Sequence, residues 1–332
     1  MLDEFINGIT SVNVQPEQVG TVSLQLLELP GVILMFAMLL EFLLPIPDEV
    51  RLSRLSPLFK LMAAKVNRPD NTAAHSYLAG ILLPFLIIFL CLLLMLIFAS
   101  VAGFDSWLGL VVLPLILESR LCMHLSEETA TLLHNGQNEE TKALLKPFTI
   151  RQVDRLSRMG LAKTCTEIVI QRMFVTWFAV LVWYMIAGLP GALVMQLSSI
   201  MSRSFSTKYP QNKHFGTCIT RIEHGMLLFP AAILGLCSLV SFFPLRAIRA
   251  GMLCAAEYPS PVSGFVLGLL GYKLNISLGG PRYYHGEIIR FPRIGGAADP
   301  NIDSAQRAFN RLRWYGIIFV CLCILVEALT TI

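Results

Sequence analysis

Leu78-Ala79-Gly80-Ile81-Leu82-Leu83-Pro84-Phe85-Leu86-Ile87-Ile88-Phe89-Leu90-Cys91-Leu92-Leu93-Leu94-Met95-Leu96-Ile97-Phe98-Ala99-Ser100-Val101-Ala102 carries no charged residue over its whole length. About 20 apolar residues in a helix cross the ~30 Å hydrocarbon core of a bilayer. Backbone groups in lipid have no water to pair with, so such a run must be helical. Further apolar runs fall at 30–44, 107–118, 173–195, 224–244, 261–279 and 313–331. The first is short unless it extends back through Leu24, Leu26 and Leu27 with Pro30 as a kink, and the third should continue beyond the bilayer. Across all 332 residues, 55% are hydrophobic and 14% charged, against about 25% charged in a soluble domain. The pattern predicts an all-α polytopic integral membrane protein, residues 1–332 forming one membrane domain. The first 20 residues hold Asp3, Glu4 and Glu17 but no Lys or Arg, so they do not read as a cleavable secretory signal.

Lys and Arg in the loops set orientation. Segment 45–77 holds five, the turn 103–106 none, and segment 119–172 eight. This pattern predicts an outside N-terminus and cytoplasmic basic loops. In the second half, 196–222 and 280–312 are also basic, and both fall inside if 173–195 enters and returns on the cytoplasmic side. Gly188, Pro190 and Gly191 supply the break. The expectation is about six transmembrane helices plus one re-entrant segment. The rival keeps 173–195 as a span and makes 261–279, with Lys273 and Asn275, the non-spanning segment.

Segment 119–172 reads as a cytoplasmic helical insertion. Leu121, Leu125, Thr129, Leu132 and Leu133 form an apolar face, and Glu118, Glu127, Glu128, Glu139 and Glu140 a wet one, with a stop at His134-Asn135-Gly136. Segment 280–312 reads as an irregular cytoplasmic Gly/Pro/Tyr loop. The eight scattered cysteines contain no Cys-x-x-Cys, and the six histidines form no i, i+4 metal pair. No phosphate loop, dinucleotide fingerprint or nucleophile elbow is present. The basic residues lie in short membrane-flanking loops, which argues against specific nucleic-acid binding. No internal repeat is visible.

Three places could carry chemistry. Lys146, Arg151, Arg155, Arg158, Lys163, Arg172, Arg203, Lys208, Lys213 and Arg221 outnumber Asp154, Glu167 and Glu223 over 146–223. Such a cluster holds phosphates or anionic lipid heads, and it also serves as a topology signal. Arg221-Ile222-Glu223-His224 enters an apolar run, so Glu223 is a candidate general base or magnesium ligand, or else the ion-pair partner of Arg221. Glu41 and Glu327 are two further membrane acids that could reach an interface. In Leu278-Gly279-Gly280-Pro281-Arg282-Tyr283-Tyr284-His285-Gly286 the glycines permit positive φ and close approach. Tyr283 and Tyr284 suit a large conjugated ligand or the membrane interface.

This last stretch, with Pro292-Arg293-Ile294-Gly295, resembles the end motif of the CobD/CbiB family, roughly Leu-Gly-Gly-Pro-x-Tyr-Tyr-x-Gly then Pro-x-Ile-Gly. Ser260-Pro261, Pro57-Leu58 and Asn135-Gly136 are similar to further family landmarks. The acid-rich motifs depart from the pattern. Gly-Arg-Asp-Thr-Ser-x-Leu is answered by Ile150-Arg151-Gln152-Val153-Asp154-Arg155-Leu156, and Glu-Asn-Thr-x-Asp-Gly by Gln171-Arg172-Met173-Phe174-Val175-Thr176. Asn-Thr-x-Asp-Ser is answered by Ser199-Ile200-Met201-Ser202-Arg203, and Arg-x-Asp-Asp by Arg221-Ile222-Glu223-His224.

The resemblance implies a bacterial inner-membrane protein of cobalamin biosynthesis. Family members with intact motifs join the carboxylate of adenosylcobyric acid to aminopropanol phosphate with ATP and Mg2+. It implies Glu223 as metal ligand, Arg151 and Arg221 as phosphate clamps, and Gly279, Gly280, Pro281, Tyr283, Tyr284 and Gly286 against a corrinoid. Partners would be the corrinoid, phosphate-bearing small molecules and the lipid bilayer, with a homo-oligomer or other cobalamin-assembly enzymes beside them. Three lost acids leave either a divergent amide-forming ligase or a corrinoid-binding relative without catalysis. The alternative function is a non-enzymatic AmpE-like membrane sensor or signalling modulator; a third, a small-solute transporter, rests on the broken 173–195 helix.

Overall fold

The computed structural model describes residues 29–44, 46–102, 105–241, 243–284 and 287–331. Leu24, Leu26, Leu27, the first 20 residues and Gly286 lie outside them. Helices dominate, as the apolar runs require. Among the described residues five are long and apolar enough to cross a membrane: Ala73–Ser100, Leu108–His134, Arg158–Ser204, Thr217–Val240 and Ser304–Thr330. Pro30–Leu43 and Pro261–Leu274 are shorter apolar helices.

Helix α1 (Pro30–Leu43) begins at a proline whose missing N–H is no loss at a helix start. The free Gly31 N–H donates to both carboxylate oxygens of Glu327, at 3.0 and 3.3 Å. An acid near the end of the chain thus meets the positive pole of the first helix. The other acid of this region, Glu41, is buried and caps a different helix. It accepts the Ser119 N–H at 2.9 Å and the Arg120 N–H at 3.2 Å, and lies 3.7 Å from Arg51. Both membrane acids therefore satisfy helix N-termini inside the protein.

The insertion forms as expected from its periodicity. Ser119–His134 buries Cys122, Leu125, Thr129 and Leu133, and Gly136 turns the chain at φ +75° into Asn138–Leu145. Glu118 departs from the expected wet face. It is completely buried, because Arg172 and Gln196 both reach its carboxylate, at 3.3 and 3.0 Å.

Those two contacts also define the path of Arg158–Ser204. Residues 172 and 196 would stand about 36 Å apart on a straight helix, yet they share one carboxylate. The chain reverses at Ala187 (φ −131°) and Gly188 (φ +63°), before Pro190. A Cβ on Gly191 would sit 2.6 Å from the Trp183 carbonyl oxygen, so only glycine lets the returning arm lie so close. The break residues read from the sequence are the residues that turn the chain, giving a helical hairpin of the form a re-entrant segment needs. The rival segment 261–279 is no single span either: its helix stops at Leu274, where Asn275 adopts a left-handed conformation.

The Gly/Pro/Tyr segment is ordered as strands rather than as an irregular loop. Strand β1 (Ser277–Tyr284) pairs antiparallel with β2 (Glu287–Gly295), with Leu278 opposite Ile294 and Pro281 opposite Arg290. A bulge falls between Gly279 and Pro281, where Gly279 and Gly280 hold φ of +75° and +89°. Bulges of this kind need positive φ and bend the strand. The pair of glycines thus shapes the ribbon instead of ending it.

Candidate functional site

The reversed helical arms, the start of Thr217–Cys237, the Tyr258–Ser263 turn and the hairpin converge on an open cleft of about 950 Å3. Seven basic side chains line it: Lys60, Lys146, Arg151, Arg172, Arg203, Lys208 and Arg282. Among the described lining residues Glu223 is the single acid, with His224 beside it. Tyr258, Tyr284 and Phe291 form an aromatic wall.

The hairpin is moored to helix Arg158–Met173 by one carboxylate. Glu167 is fully buried and accepts the Gly279 N–H at 2.6 Å. It pairs with Arg282 at 3.1 Å and with Arg151 more closely still. Arg282 stacks on Phe291, its guanidinium carbon 4.3 Å from the ring centre, and lies 5.6 Å from that of Tyr258. The loop bearing Arg151 is tied to the same strand through the Gln152 N–H, which donates to the Tyr283 carbonyl at 3.0 Å. A Cβ at Gly279 would fall 2.1 Å from the Pro292 carbonyl oxygen.

Charge falls unevenly along the cleft. At the hairpin end Arg151, Arg282 and Lys208 surround Tyr284, with Glu167 the balancing acid. The Lys208 ammonium stands 5.6 Å from the Tyr284 ring centre. Burial alone would raise the Tyr284 phenol, but Lys208, Arg151 and Arg282 outweigh it and lower its pKa. Enclosure by protein lowers the Lys208 ammonium below the usual lysine value. At the other end Arg172 and Arg203 face Glu118 and Glu223, and Arg203 donates to Ser199 Oγ at 2.7 Å.

The residues singled out from sequence divide accordingly. Arg151, Glu223 and Tyr284 line the cleft. Arg221 does not: it is exposed and outside the lining, and makes no ion pair with Glu223 among the described residues. Thr220, Glu223, His224 and Leu227 face inward at helical spacing, so a residue two before Glu223 points the opposite way. Tyr283 also turns away, under Arg155 at 5.7 Å, because strand neighbours alternate faces. Gly279, Gly280 and Pro281 build the bulge and are not lining residues. Arg282, Tyr258, Lys60 and Phe291 were not anticipated. Reading β1 with period two would have put Arg282 and Tyr284 on one face.

A resident magnesium would have a sparse protein donor set here. Protein carboxylates usually supply one or two of its ligands, beside phosphates. Among the described residues no group of three or more His, Cys, Asp or Glu could hold a metal. Glu223 offers one carboxylate, with the Arg203 charge next to it. Phosphate oxygens, by contrast, suit seven clustered cations.

Fold and cleft together define a class: a polytopic helical membrane protein whose bundle carries a cation-lined, aromatic-walled cleft completed by a β-hairpin. The family model described as CobD/Cbib protein matches residues 34–312, and the chain belongs to the CobD/CbiB family. A relative from Stutzerimonas stutzeri, named cobalamin biosynthesis protein CobD, is 26% identical over 213 residues, covering 64% of this chain and 70% of the relative. Proteins of the same name from Chromobacterium violaceum and Mycobacterium tuberculosis are 27% and 25% identical over 183 and 186 residues. Each of those alignments spans 54% of this chain and 59% of the relative. No solved structure matches the chain.

Proposed function

We propose that this chain serves cobalamin biosynthesis by holding a phosphate-bearing ligand in the cleft, with a corrinoid against the aromatic wall and little or no amide-forming turnover. The observation that carries the reading is the lining itself, seven cations against one carboxylate. Such a surface binds phosphates well and supports metal-assisted activation of a carboxylate poorly. The relatives' name points to the same pathway. A volume of about 950 Å3 lies at the upper end of ordinary ligand sites, and the open mouth suits a ligand larger than a nucleotide. In this reading the cleft faces the cytoplasm of a bacterial inner membrane, where ATP and the other cobalamin-assembly enzymes are.

The test is condensation by the purified, detergent-solubilised protein supplied with adenosylcobyric acid, aminopropanol phosphate, ATP and Mg2+, with Glu223→Gln and Arg151→Ala beside it. Corrinoid bound without product is the expected result. Product that vanishes in Glu223→Gln would instead establish a synthase working from a single carboxylate. Neither product nor corrinoid binding would remove the cobalamin reading and favour an AmpE-like sensor.

A further inference from the structure

One side-chain hydrogen bond joins the reversed helical arms to the helix that carries Glu223. Pro230 stands inside Thr217–Cys237 and is buried. A proline within a helix has no N–H for the carbonyl four residues before it. That carbonyl belongs to Met226, and the Trp183 indole Nε1–H donates to it at 3.0 Å. A backbone group freed by proline among apolar helices has to be satisfied by a neighbouring element, because lipid supplies no donor. Here Trp183 replaces the missing backbone donor.

Pro230 also divides its helix by task. Thr220, Glu223, His224 and Leu227 line the cleft, and all four precede the proline. None of the described residues of this helix after Pro230 lines it. Proline is a usual bending point of a helix, so the cleft-facing half is free to swing as a unit unless it is held. Two contacts hold it. Near its start the Ser202 hydroxyl donates to the Thr220 hydroxyl oxygen at 3.4 Å. Near the bend Trp183 grips Met226. Ser202 belongs to the returning arm and Trp183 to the outgoing one, so both arms fix the same half-helix. Trp183 is itself anchored at the chain reversal. The turn at Ala187 and Gly188 follows it, and the close approach of Gly191 to its carbonyl oxygen packs the returning arm against it.

We infer that Trp183 is a positioning residue: its indole N–H stands in for the N–H that Pro230 lacks, and so sets the direction in which the first half of Thr217–Cys237 presents Glu223 and His224 to the cleft. Trp183 is not a lining residue and acts through Met226. The inference rests on the cleft being the functional site and adds what holds the acid of that site in place.

The experiment is amide hydrogen exchange of the full-length, detergent-solubilised protein, read by mass spectrometry and compared with Trp183→Phe, Pro230→Ala and the double variant. Phenylalanine keeps an aromatic ring and loses the donor, whereas alanine at position 230 returns a backbone N–H to the Met226 carbonyl. Expected in Trp183→Phe is exchange about fivefold faster across 219–229, the effect of about one lost hydrogen bond. With Pro230→Ala already present, the same change should alter 219–229 by less than about twofold, because the carbonyl then has its own helical partner. Unchanged exchange across 219–229 in Trp183→Phe, or an equal acceleration with and without Pro230→Ala, would overturn the inference and leave Trp183 as packing at the chain reversal. If Trp183→Phe fails to fold, thermal melting decides. A double variant that melts with Pro230→Ala supports the inference, and one that fails to fold as well overturns it. No ligand enters the measurement, so its failure leaves the phosphate-binding reading untouched, and failure of that reading leaves the exchange result standing.

Discussion

Glu167→Gln isolates the contact on which the hairpin end depends. The substitution keeps shape and leaves a carbonyl oxygen for the Gly279 N–H, but removes the charge facing Arg151 and Arg282. Removing one partner from a buried ion pair costs about 3–5 kcal/mol, because the other charge stays behind in protein. Arg151 is 13% and Arg282 6% exposed at the side chain. Both also open onto the cleft, where water reaches them, so the lower figure of about 3 kcal/mol applies. At about 2–4 °C per kcal/mol for a domain of this order, the melting temperature should fall by about 6–12 °C. Added phosphate should then recover part of the loss, because an anion in the cleft meets the same two guanidinium groups. Glu118→Gln supplies the comparison. It should also lower the melting temperature, since Arg172 and Gln196 lose a shared partner, but with little phosphate rescue. The assay is thermal unfolding of purified protein across a phosphate series. A Glu167→Gln protein that melts with the wild type, or one that phosphate restores no better than Glu118→Gln, would refute the reasoning.

Gly279→Ala should destabilise far more than Gly136→Ala: both have φ near +75°, which costs about 1–2 kcal/mol for a side-chain-bearing residue, but only at Gly279 would the Cβ strike a backbone oxygen, and denaturant midpoints compare them. Tyr284→Phe should weaken phosphate binding and Tyr283→Phe leave it unchanged, since only Tyr284 lines the cleft; equal effects in titration would contradict the strand alternation. Arg221→Ala should bind phosphate like the wild type while Arg151→Ala binds it less well, measured the same way. Phosphate affinity should decline with rising pH earlier than an ordinary lysine pKa of about 10.4 predicts, because the Lys208 ammonium is lowered and only its charged form attracts the anion. Lys208→Arg stays charged over that range and should lose this decline; parallel pH profiles for the two proteins would count against Lys208.

The membrane helices were legible because lipid leaves an apolar run only one conformation. The chain reversal was legible because Gly188, Pro190 and Gly191 are local signals for it. The site was legible only where its logic is local. Arg151 and Glu223 stood out as charges beside apolar runs, and both line the cleft. Arg221 was misplaced although the needed rule was at hand, since residues two apart on a helix lie on opposite faces. Tyr283 was misplaced and Arg282 passed over because glycine and proline disguise β1 as a turn, and in a loop no alternation is expected. Glu118 and Glu167 were out of reach for a different reason. Their partners Arg172 and Arg282 lie 54 and 115 residues away, and no local pattern announces such a pair.

Those long-range pairs bear directly on catalysis. A chain that lacks several family acids could in principle rebuild a magnesium site from acids elsewhere, and Glu118 and Glu167 are near the cleft. Each, however, already neutralises an arginine: Glu118 meets Arg172, and Glu167 meets both Arg151 and Arg282. Turning either carboxylate toward a metal would strand its arginine in protein, at about 3–5 kcal/mol per broken pair. It would also bring a dication close to the same guanidinium groups. The metal would have to overcome both costs before contributing anything to the reaction. Metal-assisted turnover in this protein therefore has to rest on Glu223, the single acid among the described lining residues. That is why Glu223→Gln separates a working synthase from a binding protein, while the same change at Glu118 or Glu167 would report on folding.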